Sequence, residues 1–449
     1  MPSTQQATFE ATETGSRRAV AALRRSGALA WLQVMAGNGV YIALGFACNV
    51  VVANGLGPAA YGTLAIAMAV MLVLQELAGS GLDLAMVRLA AQHAATDPAR
   101  AQRIFRAGLY VKLAVSAAVM ALAWLCAGPV ARGAFGDPEL AGPLRWAAVG
   151  VLGGALHGWV LARFQADEHF RHYALFRSVN NALKLAALGG LWLAGALTLD
   201  AVLAVSVGVF FVAYGVGLPF LPRAQDAAPP GALAGAGRDV LRFGRWIVAS
   251  HLLFALYSRV DLLMIGRLLT PEDAAFYAVA WNFSFPIDLC TYAVILAMLP
   301  RVARLTTRAE YVAETRRIFA LCAAIAVALL PLFFLAEPSI RLLFPGYAAS
   351  AEIFRVLFLG PLVTVLVHPL YLILYARNRV AMLTAVDLVL VVACAAGCLV
   401  WIPAYGTIGA AWATVAARVV NCLLVLGLVV LELRALAREP AAPPAPAGR

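Results

Sequence analysis

Residues 244–300 read GRWIVASHLLFALYSRVDLLMIGRLLTPEDAAFYAVAWNFSFPIDLCTYAVILAMLP. Two long apolar segments are joined here by the short hairpin Thr270–Asp273, and three charged residues, Arg259, Asp261 and Asp288, lie inside them. The hairpin region repeats, without gaps, a segment that lies 213 residues earlier in the chain. The matching pairs are Leu56 and Leu269, Pro58 and Pro271, Ala65 and Ala278, and Ala67 and Ala280. Each copy joins the first and second apolar segments of its half, which predicts a duplicated architecture.

The composition places the chain in a lipid bilayer. Hydrophobic residues make up 63% of it and charged residues 13%, with a mean hydropathy of +0.85, whereas about a quarter of a soluble protein is charged. A membrane-spanning helix needs about 20 mainly apolar residues. Twelve segments of the sequence satisfy this, at roughly 31–53, 63–82, 108–128, 144–163, 178–197, 200–221, 245–268, 275–299, 318–336, 353–374, 381–401 and 407–431.

The basic residues predict the orientation of these spans. Lys and Arg in short loops stay on the cytoplasmic side of a membrane. With both termini placed inside, 25 of the 34 Lys and Arg residues fall on the cytoplasmic side and 5 on the other. The net charge of +11 is then explained by topology and by anionic membrane lipids as partners, without nucleic acid. We therefore expect an all-α integral membrane protein of 12 transmembrane helices, with its N-terminus and C-terminus in the cytoplasm.

The same pattern predicts the division of the chain. We expect a disordered tail and a basic juxtamembrane helix over residues 1–30, and a six-helix bundle over 31–222. A cytoplasmic linker, 223–243, contains a Pro-Pro-Gly run typical of a boundary. A second six-helix bundle follows over 244–432, in parallel repeat with the first, and 433–449 form a disordered Ala- and Pro-rich tail.

Acidic residues within the spans are the candidates for coupling or gating, because each buried charge needs a partner or a wet cavity. They are Glu76, Asp83, Asp261, Asp288 and Asp387. Glu76 and Asp83 are seven residues apart, which predicts that they share one face of a helix. Pro286 precedes Asp288 by two residues and removes a backbone hydrogen bond, as in a hinge or a cation site, although prolines are also common in membrane helices.

Basic and amide residues within the spans are the candidates for binding substrate. Arg177, Asn180, Asn181 and Lys184 follow the spacing of one helix face, which predicts that this polar stripe faces a partner or a wet cavity. Arg259, Lys184 and Arg418 are either cations that bind a diphosphate in a cavity or members of structural ion pairs. Both interpretations are open at this stage.

Some partners can be predicted from spacing. Arg259 and Asp261 lie about 200° apart around a helix, so each is expected to face a different neighbour. A contact between Lys184 and Asp387, one from each bundle, is predicted to open and close with the cavity. His251 has a claim to proton coupling because a continuous helix puts it near Arg259, against the alternative of a core or interface histidine.

Five motifs, taken in order, resemble one family. They are LGPAAYG at 56–62, GLDLAMVR at 81–88, the FQADEHFR loop at 164–171, DLLMIG at 261–266 and YGTIGAA at 405–411. Together they are similar to polysaccharide exporters of the multidrug/oligosaccharidyl-lipid/polysaccharide (MOP) superfamily, over residues 28–432. The resemblance implies a flippase of the bacterial inner membrane that moves a polyprenyl-pyrophosphate-linked oligosaccharide by alternating access. It also implies a polysaccharide polymerase and other export components as partners.

Three alternatives stay open beside this function. One is a cation-coupled multidrug or metabolite antiporter of the same fold. Another is a membrane polysaccharide polymerase or ligase, whose catalytic residues usually lie in a large outer loop, and no outer loop here exceeds about 20 residues. The third is a non-transporting scaffold of an export complex.

Because the sequence has no nucleotide-binding motif, metal-ligand spacing or nucleophile elbow, we expect no enzyme activity, cofactor or metal.

Overall fold

The structure, a computed structural model, describes residues 39–94, 96–221, 232–302, 305, 307–377 and 379–436. Within these ranges the chain is helical and contains no strand. The predicted N-terminal tail and juxtamembrane helix, residues 223–231 of the linker and residues 437–449 lie outside the described residues.

The described part of the first half contains seven α-helices. They are α1 (Gly39–Leu56), α2 (Pro58–Gln75), α3 (Gly81–His93), α4 (Pro98–Val130), α5 (Ala141–Ala166), α6 (Phe170–Leu193) and α7 (Leu199–Gly217). Two of them begin at a side-chain cap: Asp97 accepts a hydrogen bond from the backbone N–H of Arg100, and Thr198 from that of Ala201. Gly57 has a φ of 77°, which lets the chain turn tightly between α1 and α2.

The second half contains eight helices. They are α8 (Ala232–Tyr257), α9 (Val260–Leu268), α10 (Pro271–Val302), α11 (Arg308–Leu343), α12 (Ser350–Leu357), α13 (Leu359–Val367), α14 (Tyr371–Ala376) and α15 (Val380–Leu436). Thr307 and Glu310 form a capping box at the start of α11. Helix α15 runs four residues into the predicted disordered tail, so that boundary lies later than expected.

Helix α15 doubles back on itself at Gly406, where φ is 60° and ψ is −139°. A Cβ on Gly409 would lie 2.1 Å from the carbonyl oxygen of Trp401, and one on Gly397 would lie 3.0 Å from the Cβ of Ala413. The two legs of α15 are therefore antiparallel neighbours, and they coincide with the predicted segments 381–401 and 407–431. Only a residue that tolerates a positive φ can form this reversal without strain.

The number of spans found is smaller than the number predicted. In the described part of the chain, eight helices are long and apolar enough to cross a membrane, or nine if the bent pair Leu233–Arg245 and Ile247–Tyr257 is one span. This count treats Met382–Ala435, which contains both legs of α15, as one helix. Each of the twelve predicted segments is mainly helical where the structure describes it. Their number as spans and their orientation remain predictions.

Two predicted helices are interrupted near their centres. Glu76–Ser80 form a π-helical turn between α2 and α3, and Gly79 has a φ of 119°. The helix that the spacing of Glu76 and Asp83 assumed is therefore not continuous, although the two carboxylates are close enough to interact electrostatically. The segment 245–268 is likewise broken, between α8 and α9, at Ser258 and Arg259. The angle that placed His251 beside Arg259 assumed an unbroken helix and does not apply.

The two copies of the repeated hairpin meet each other. Helix α2 packs along α10, and a Cβ on Gly62 would lie 1.6 Å from the carbonyl oxygen of Pro271. We call this side of the molecule, where α1 turns into α2 and α9 into α10, the hairpin end. Here Asn54 Nδ2 also donates to the carbonyl of Leu343 (2.8 Å), and the Tyr347 hydroxyl donates to that of Ala53 (2.8 Å). These contacts join the two halves closely at the hairpin end.

Helix α8 packs into the first half of the chain. Its residue Val240 belongs to a buried cluster with Leu82, Met86 and Phe105 of α3 and α4. A Cβ on Gly81 would lie 2.5 Å from the backbone nitrogen of Val248, so the backbones of α3 and α8 are in direct contact. The predicted linker, 223–243, is helical from Ala232 onward, and its helical part joins the two halves at the end opposite the hairpin end.

Gly62 gives a test of the hairpin contact. The substitution Gly62→Ala places a methyl group against the backbone of Pro271, and overpacking of this kind costs about 1–3 kcal/mol. We expect a lower midpoint of thermal unfolding for the purified protein in detergent. Gly208→Ala in α7 is the matched control, because a Cβ there meets nothing within 4 Å. Equal midpoints for the two variants would contradict the close approach of the hairpins.

Candidate functional site

The charged residues of the second half include one bidentate ion pair. Asp288, on α10, accepts hydrogen bonds from both terminal nitrogens of Arg418, on the second leg of α15, at 2.7 and 3.0 Å. The side chain of Arg418 is 5% exposed, so its charge is neutralised where water does not reach it. Helix α10 continues through Pro286, two residues before this carboxylate. Of the two interpretations left open for Arg418, the contacts favour the structural ion pair.

Asp261 is held by neutral donors. It is 2% exposed and accepts hydrogen bonds from the Tyr277 hydroxyl (2.6 Å), the Thr414 hydroxyl (3.0 Å) and the backbone N–H of Leu262 (2.7 Å). Both carboxylate oxygens are therefore occupied. Asp261 and Arg259 form no direct ion pair, but the angle of 200° assumed an unbroken helix and does not apply at Arg259, which precedes α9.

In the first half, Asp83 pairs with Lys112. The ammonium group of Lys112, on α4, lies 2.6 and 2.5 Å from the two carboxylate oxygens of Asp83, on α3. Gly158 of α5 leaves room for the pair, since a Cβ there would lie 2.8 Å from Asp83. Sequence reasoning did not find this partner. A signal was present: the two residues lie at similar distances from the turn that joins α3 and α4, so they are at similar depths.

Glu76 contacts His251 across the two halves of the chain. A Glu76 carboxylate oxygen, on the π-helical turn, lies 3.2 Å from His251 Nδ1, on α8. The side chains are 19% and 41% exposed. The contact therefore links the π-helical turn between α2 and α3 to α8, the helix of the second half that packs into the first. His251 is thus an interface histidine with a carboxylate partner.

Asp387 lies with Tyr371 and not with Lys184. The Tyr371 hydroxyl donates a hydrogen bond of 2.9 Å to the carboxylate of Asp387. Among the described residues, no ion pair joins Asp387 to Lys184, so the predicted contact between the bundles is not formed in this structure. That prediction relied on an approximate alignment of the two halves, which fixes depth but not direction.

The polar stripe of α6 faces α1. Asn181 Nδ2 donates to the backbone carbonyl of Tyr41 (2.8 Å), and the Arg177 guanidinium lies 4.5 Å from the centre of the Tyr41 ring. Asn180 is 9% exposed, and its side-chain oxygen has no hydrogen-bond partner in the described chain. The expected partner of the stripe is therefore a helix, with one buried polar atom left over.

Arg259 lies at the break between α8 and α9 and is not neutralised by contact with an acid. Its Cζ is 6.0 Å from the centre of the Trp281 ring, and its Nε is buried without a hydrogen-bond partner in the part of the chain that the structure describes. No described carboxylate lies within 4.0 Å of it. Arg259 interacts electrostatically with Asp261, although the two form no direct ion pair, and more weakly with Tyr61 of α2.

Lys184, like Arg259, makes no direct ion pair with a described acid. It lies on α6, half-buried, and its electrostatic neighbour is the thiol of Cys48 on α1. Within the described ranges it has no ion-pair partner. Lys184 and Arg259, one from each half, are thus basic residues inside predicted spans whose charge is available to an anion.

A hydrogen-bonded chain adjoins Arg259 and crosses between the halves. Asn282 Nδ2, on α10, donates to the Tyr61 hydroxyl (3.1 Å), which lies 3.5 Å from the side-chain oxygen of Asn49 on α1. The surroundings of Arg259 therefore combine a free cation, neutral hydrogen-bonding groups and the aromatic ring of Trp281. Such a combination can hold an anionic group that carries further hydroxyls.

Solved structures with the same fold are transporters. The chain is similar to the lipid II flippase MurJ in an inward closed conformation (13% identity, 91% of this chain and 90% of that chain, TM-score 0.71). It is also similar to an inward-facing multidrug resistance MATE family transporter of the MOP superfamily (13% identity, 91% and 100% covered, TM-score 0.70). A MOP superfamily transporter from Pyrococcus furiosus gives 14% identity, 91% and 95% coverage and a TM-score of 0.60. These identities establish the fold only.

No curated protein matches the sequence. One family of sequences does match: the family described as "Polysaccharide biosynthesis protein" aligns with residues 51–346, which is more than half of the chain. The matched region runs from α1 to the turn after α11 and includes the repeated hairpin in both copies. The chain is a multi-pass membrane protein with the MOP fold and belongs to the polysaccharide biosynthesis protein family.

Proposed function

We propose that this protein is a flippase that moves a polyprenyl-pyrophosphate-linked oligosaccharide from the inner to the outer leaflet of the bacterial inner membrane. Its product would supply a surface polysaccharide such as lipopolysaccharide or exopolysaccharide. The observation that carries the proposal is that two basic residues, Arg259 and Lys184, make no direct ion pair with a described acid. Membership of a polysaccharide biosynthesis family supports the substrate class.

The charge of the substrate explains why two basic residues would stay unpaired. A charged side chain at the bilayer centre costs about 2.5–3.5 kcal/mol on insertion scales, so a free cation is unfavourable unless an anion compensates it. A lipid diphosphate provides that anion. Arg259 can bind it through planar, paired N–H donors, and Lys184 as a point charge. Arg418 is already paired with Asp288 and is assigned no substrate contact.

We propose twelve spans with both termini in the cytoplasm. Support comes from the 25 basic residues on one side against 5 on the other, and from the mainly helical state of every predicted segment where it is described. In this orientation the hairpin end faces outward. The contacts of Gly62 with Pro271 and of Asn54 with Leu343 then close the outer side.

Alternating access would require these outer contacts to open while the inner side closes. The π-helical turn at Gly79 and the break at Ser258 and Arg259 provide two interruptions near mid-span where helix segments can change direction. The second interruption contains Arg259 itself. Binding of an anion at Arg259 would therefore act at the point where the α8–α9 segment bends.

The second candidate is a cation-coupled antiporter of the same fold, favoured by the similarity to a MATE transporter. A cationic cargo or coupling ion needs acidic residues that are free to bind it. Asp83, Asp261, Asp288 and Asp387 are each engaged by a partner in this structure, which makes this candidate the weaker one. A polymerase or ligase usually carries its catalytic residues in a large outer loop, which the predicted topology does not provide, and a scaffold would have no use for free cations within its spans.

Loss of the gene provides the cellular test. We expect cells without it to lose surface polysaccharide and to accumulate lipid-linked oligosaccharide on the inner leaflet. Complementation with Arg259→Ala or Lys184→Ala should restore little polymer, because the diphosphate loses a charged donor. Arg341→Ala, at an exposed ion pair with Glu337, should restore it fully. Normal polysaccharide with altered sensitivity to cationic drugs would contradict the flippase and favour the antiporter.

Stability measurements can separate the paired arginine from the unpaired one. Asp288→Asn leaves Arg418 buried without a counter-charge, which costs about 3–5 kcal/mol. We expect a clear fall in the midpoint of thermal unfolding in detergent. Arg259→Met removes a buried charge that makes no direct ion pair and interacts with Asp261 only at longer range, so its midpoint should change much less than that of Asp288→Asn. Glu337→Gln, in an exposed pair, is the control with a small effect. A loss of stability in Arg259→Met equal to that in Asp288→Asn would show that Arg259 is structural.

A further inference from the structure

We propose that Trp281 is a positioning residue that holds the Arg259 guanidinium against its aromatic ring and leaves the guanidinium N–H groups free to bind the diphosphate of the substrate. The proposal rests on the proposed function of Arg259. It concerns a residue that has no polar role of its own in the ion pairs or in the hydrogen-bonded chain described above.

The ring of Trp281 is shared by two guanidinium groups. The Cζ of Arg259 lies 6.0 Å from the ring centre, and that of Arg418 lies 5.9 Å from it. These distances are within the range of cation–π attraction, for which Trp is the most effective side chain. The two arginines therefore have the ring in common but differ in one respect: only Arg418 has a carboxylate partner.

The position of Arg418 against the Trp281 ring is fixed. Its bidentate pair with Asp288 leaves it little freedom, and its Cζ also lies 5.8 Å from the Tyr257 ring. Since Asp288 and Trp281 are both on α10, the pair fixes the arginine relative to the ring. The guanidinium of Arg418 is neutralised by Asp288, so its repulsion of Arg259 across the ring is reduced.

The backbone of α10 at Trp281 is also held by the next residue, Asn282. Asn282 donates a hydrogen bond to the Tyr61 hydroxyl (3.1 Å), which ties this turn of α10 to α2 in the other half of the chain. Tyr61 is 3% exposed and cannot shift freely. Trp281 is therefore presented from a turn of helix that is held at residues 282 and 288, six residues apart.

The choice of an aromatic ring in place of a carboxylate has a chemical consequence. A carboxylate would fix the guanidinium equally well, but it would occupy two N–H donors and cancel the charge. A ring attracts the cation through its face and uses none of these donors. Arg259 is thus oriented before the substrate arrives, and its charge and its donors remain available. Orientation before binding reduces the entropy lost on binding.

Binding of undecaprenyl diphosphate to the purified full-length protein in lipid nanodiscs tests this role. We expect Trp281→Leu to weaken binding about 3- to 30-fold, the range of a cation–π contact, and Trp281→Phe, which keeps a ring, to weaken it less. In the Arg259→Ala background, Trp281→Leu should cause no further loss. Undecaprenol, which has no diphosphate, should bind all variants equally.

Trp124→Leu is the matched control. Trp124 lies on α4, and its ring is 5.8 Å from the Cζ of Arg145, so this variant removes a comparable contact at a distant place. We expect it to bind undecaprenyl diphosphate like the unmodified protein. The midpoint of thermal unfolding of each variant shows whether it is folded, and Trp281→Phe provides the comparison if Trp281→Leu does not fold.

The outcomes separate the two proposals. If Arg259→Ala weakens binding and Trp281→Leu behaves like Trp124→Leu, the positioning role is wrong and the proposed function stands. If Trp281→Leu weakens binding equally with and without Arg259, Trp281 acts on the ligand directly and the positioning role is again wrong. If Arg259→Ala binds undecaprenyl diphosphate normally, the proposed function of Arg259 and the role of Trp281 that rests on it are both overturned.

Discussion

The cost of placing a charge in hydrocarbon is the constraint on which this structure depends. Asp288 with Arg418, and Asp83 with Lys112, are both removed from water, and each carboxylate receives two short hydrogen bonds from its partner. A pair of this kind adds little net stability compared with apolar packing, but it is strongly unfavourable to break. The pairs therefore fix which helices are neighbours: α10 with the second leg of α15, and α3 with α4. Against this pattern, an unpaired arginine or lysine is conspicuous.

The two halves use buried polar groups differently. In the first half, the buried pair joins consecutive helices and stabilises one bundle from within. In the second half, Asp288, Arg418, Trp281 and Arg259 form a connected group that reaches the break between α8 and α9. Away from the close packing at the hairpin end, the side-chain contacts that cross between the halves are single hydrogen bonds: Glu76 with His251, and Asn282 with Tyr61. Strong contacts within a half and weaker ones between halves are what a protein needs if its halves move relative to each other.

Much of the fold could be predicted from the sequence, because the bilayer imposes length and apolarity on every segment that enters it. The twelve segments and the duplicated hairpin at Pro58 and Pro271 correspond to helices and a turn in each half.

The interruptions of these helices could not be predicted in this way. Gly79 and Arg259 lie within apolar runs, and hydropathy carries no information on backbone angles. The charged residues within the spans can be read from the sequence, but their partners cannot, since depth along a helix does not determine direction. Lys112 beside Asp83 and Tyr371 beside Asp387 illustrate this limit.

The position of α8 bears on how such a protein arises from a duplicated ancestor. Val240 of the linker, and Ile247 and Val248 of the second copy of the repeat, all lie on α8 and pack against the core of α3 and α4. A polypeptide that stopped at the natural boundary near residue 222 would expose that core to lipid or water. Two separately translated halves would therefore have to exchange this helix in order to assemble, in the manner of a domain-swapped dimer. When the two copies are fused into one chain, α8 reaches its place in the first half intramolecularly, at a high effective concentration. Pairing of two identical halves, which would compete in separate chains, is then disfavoured.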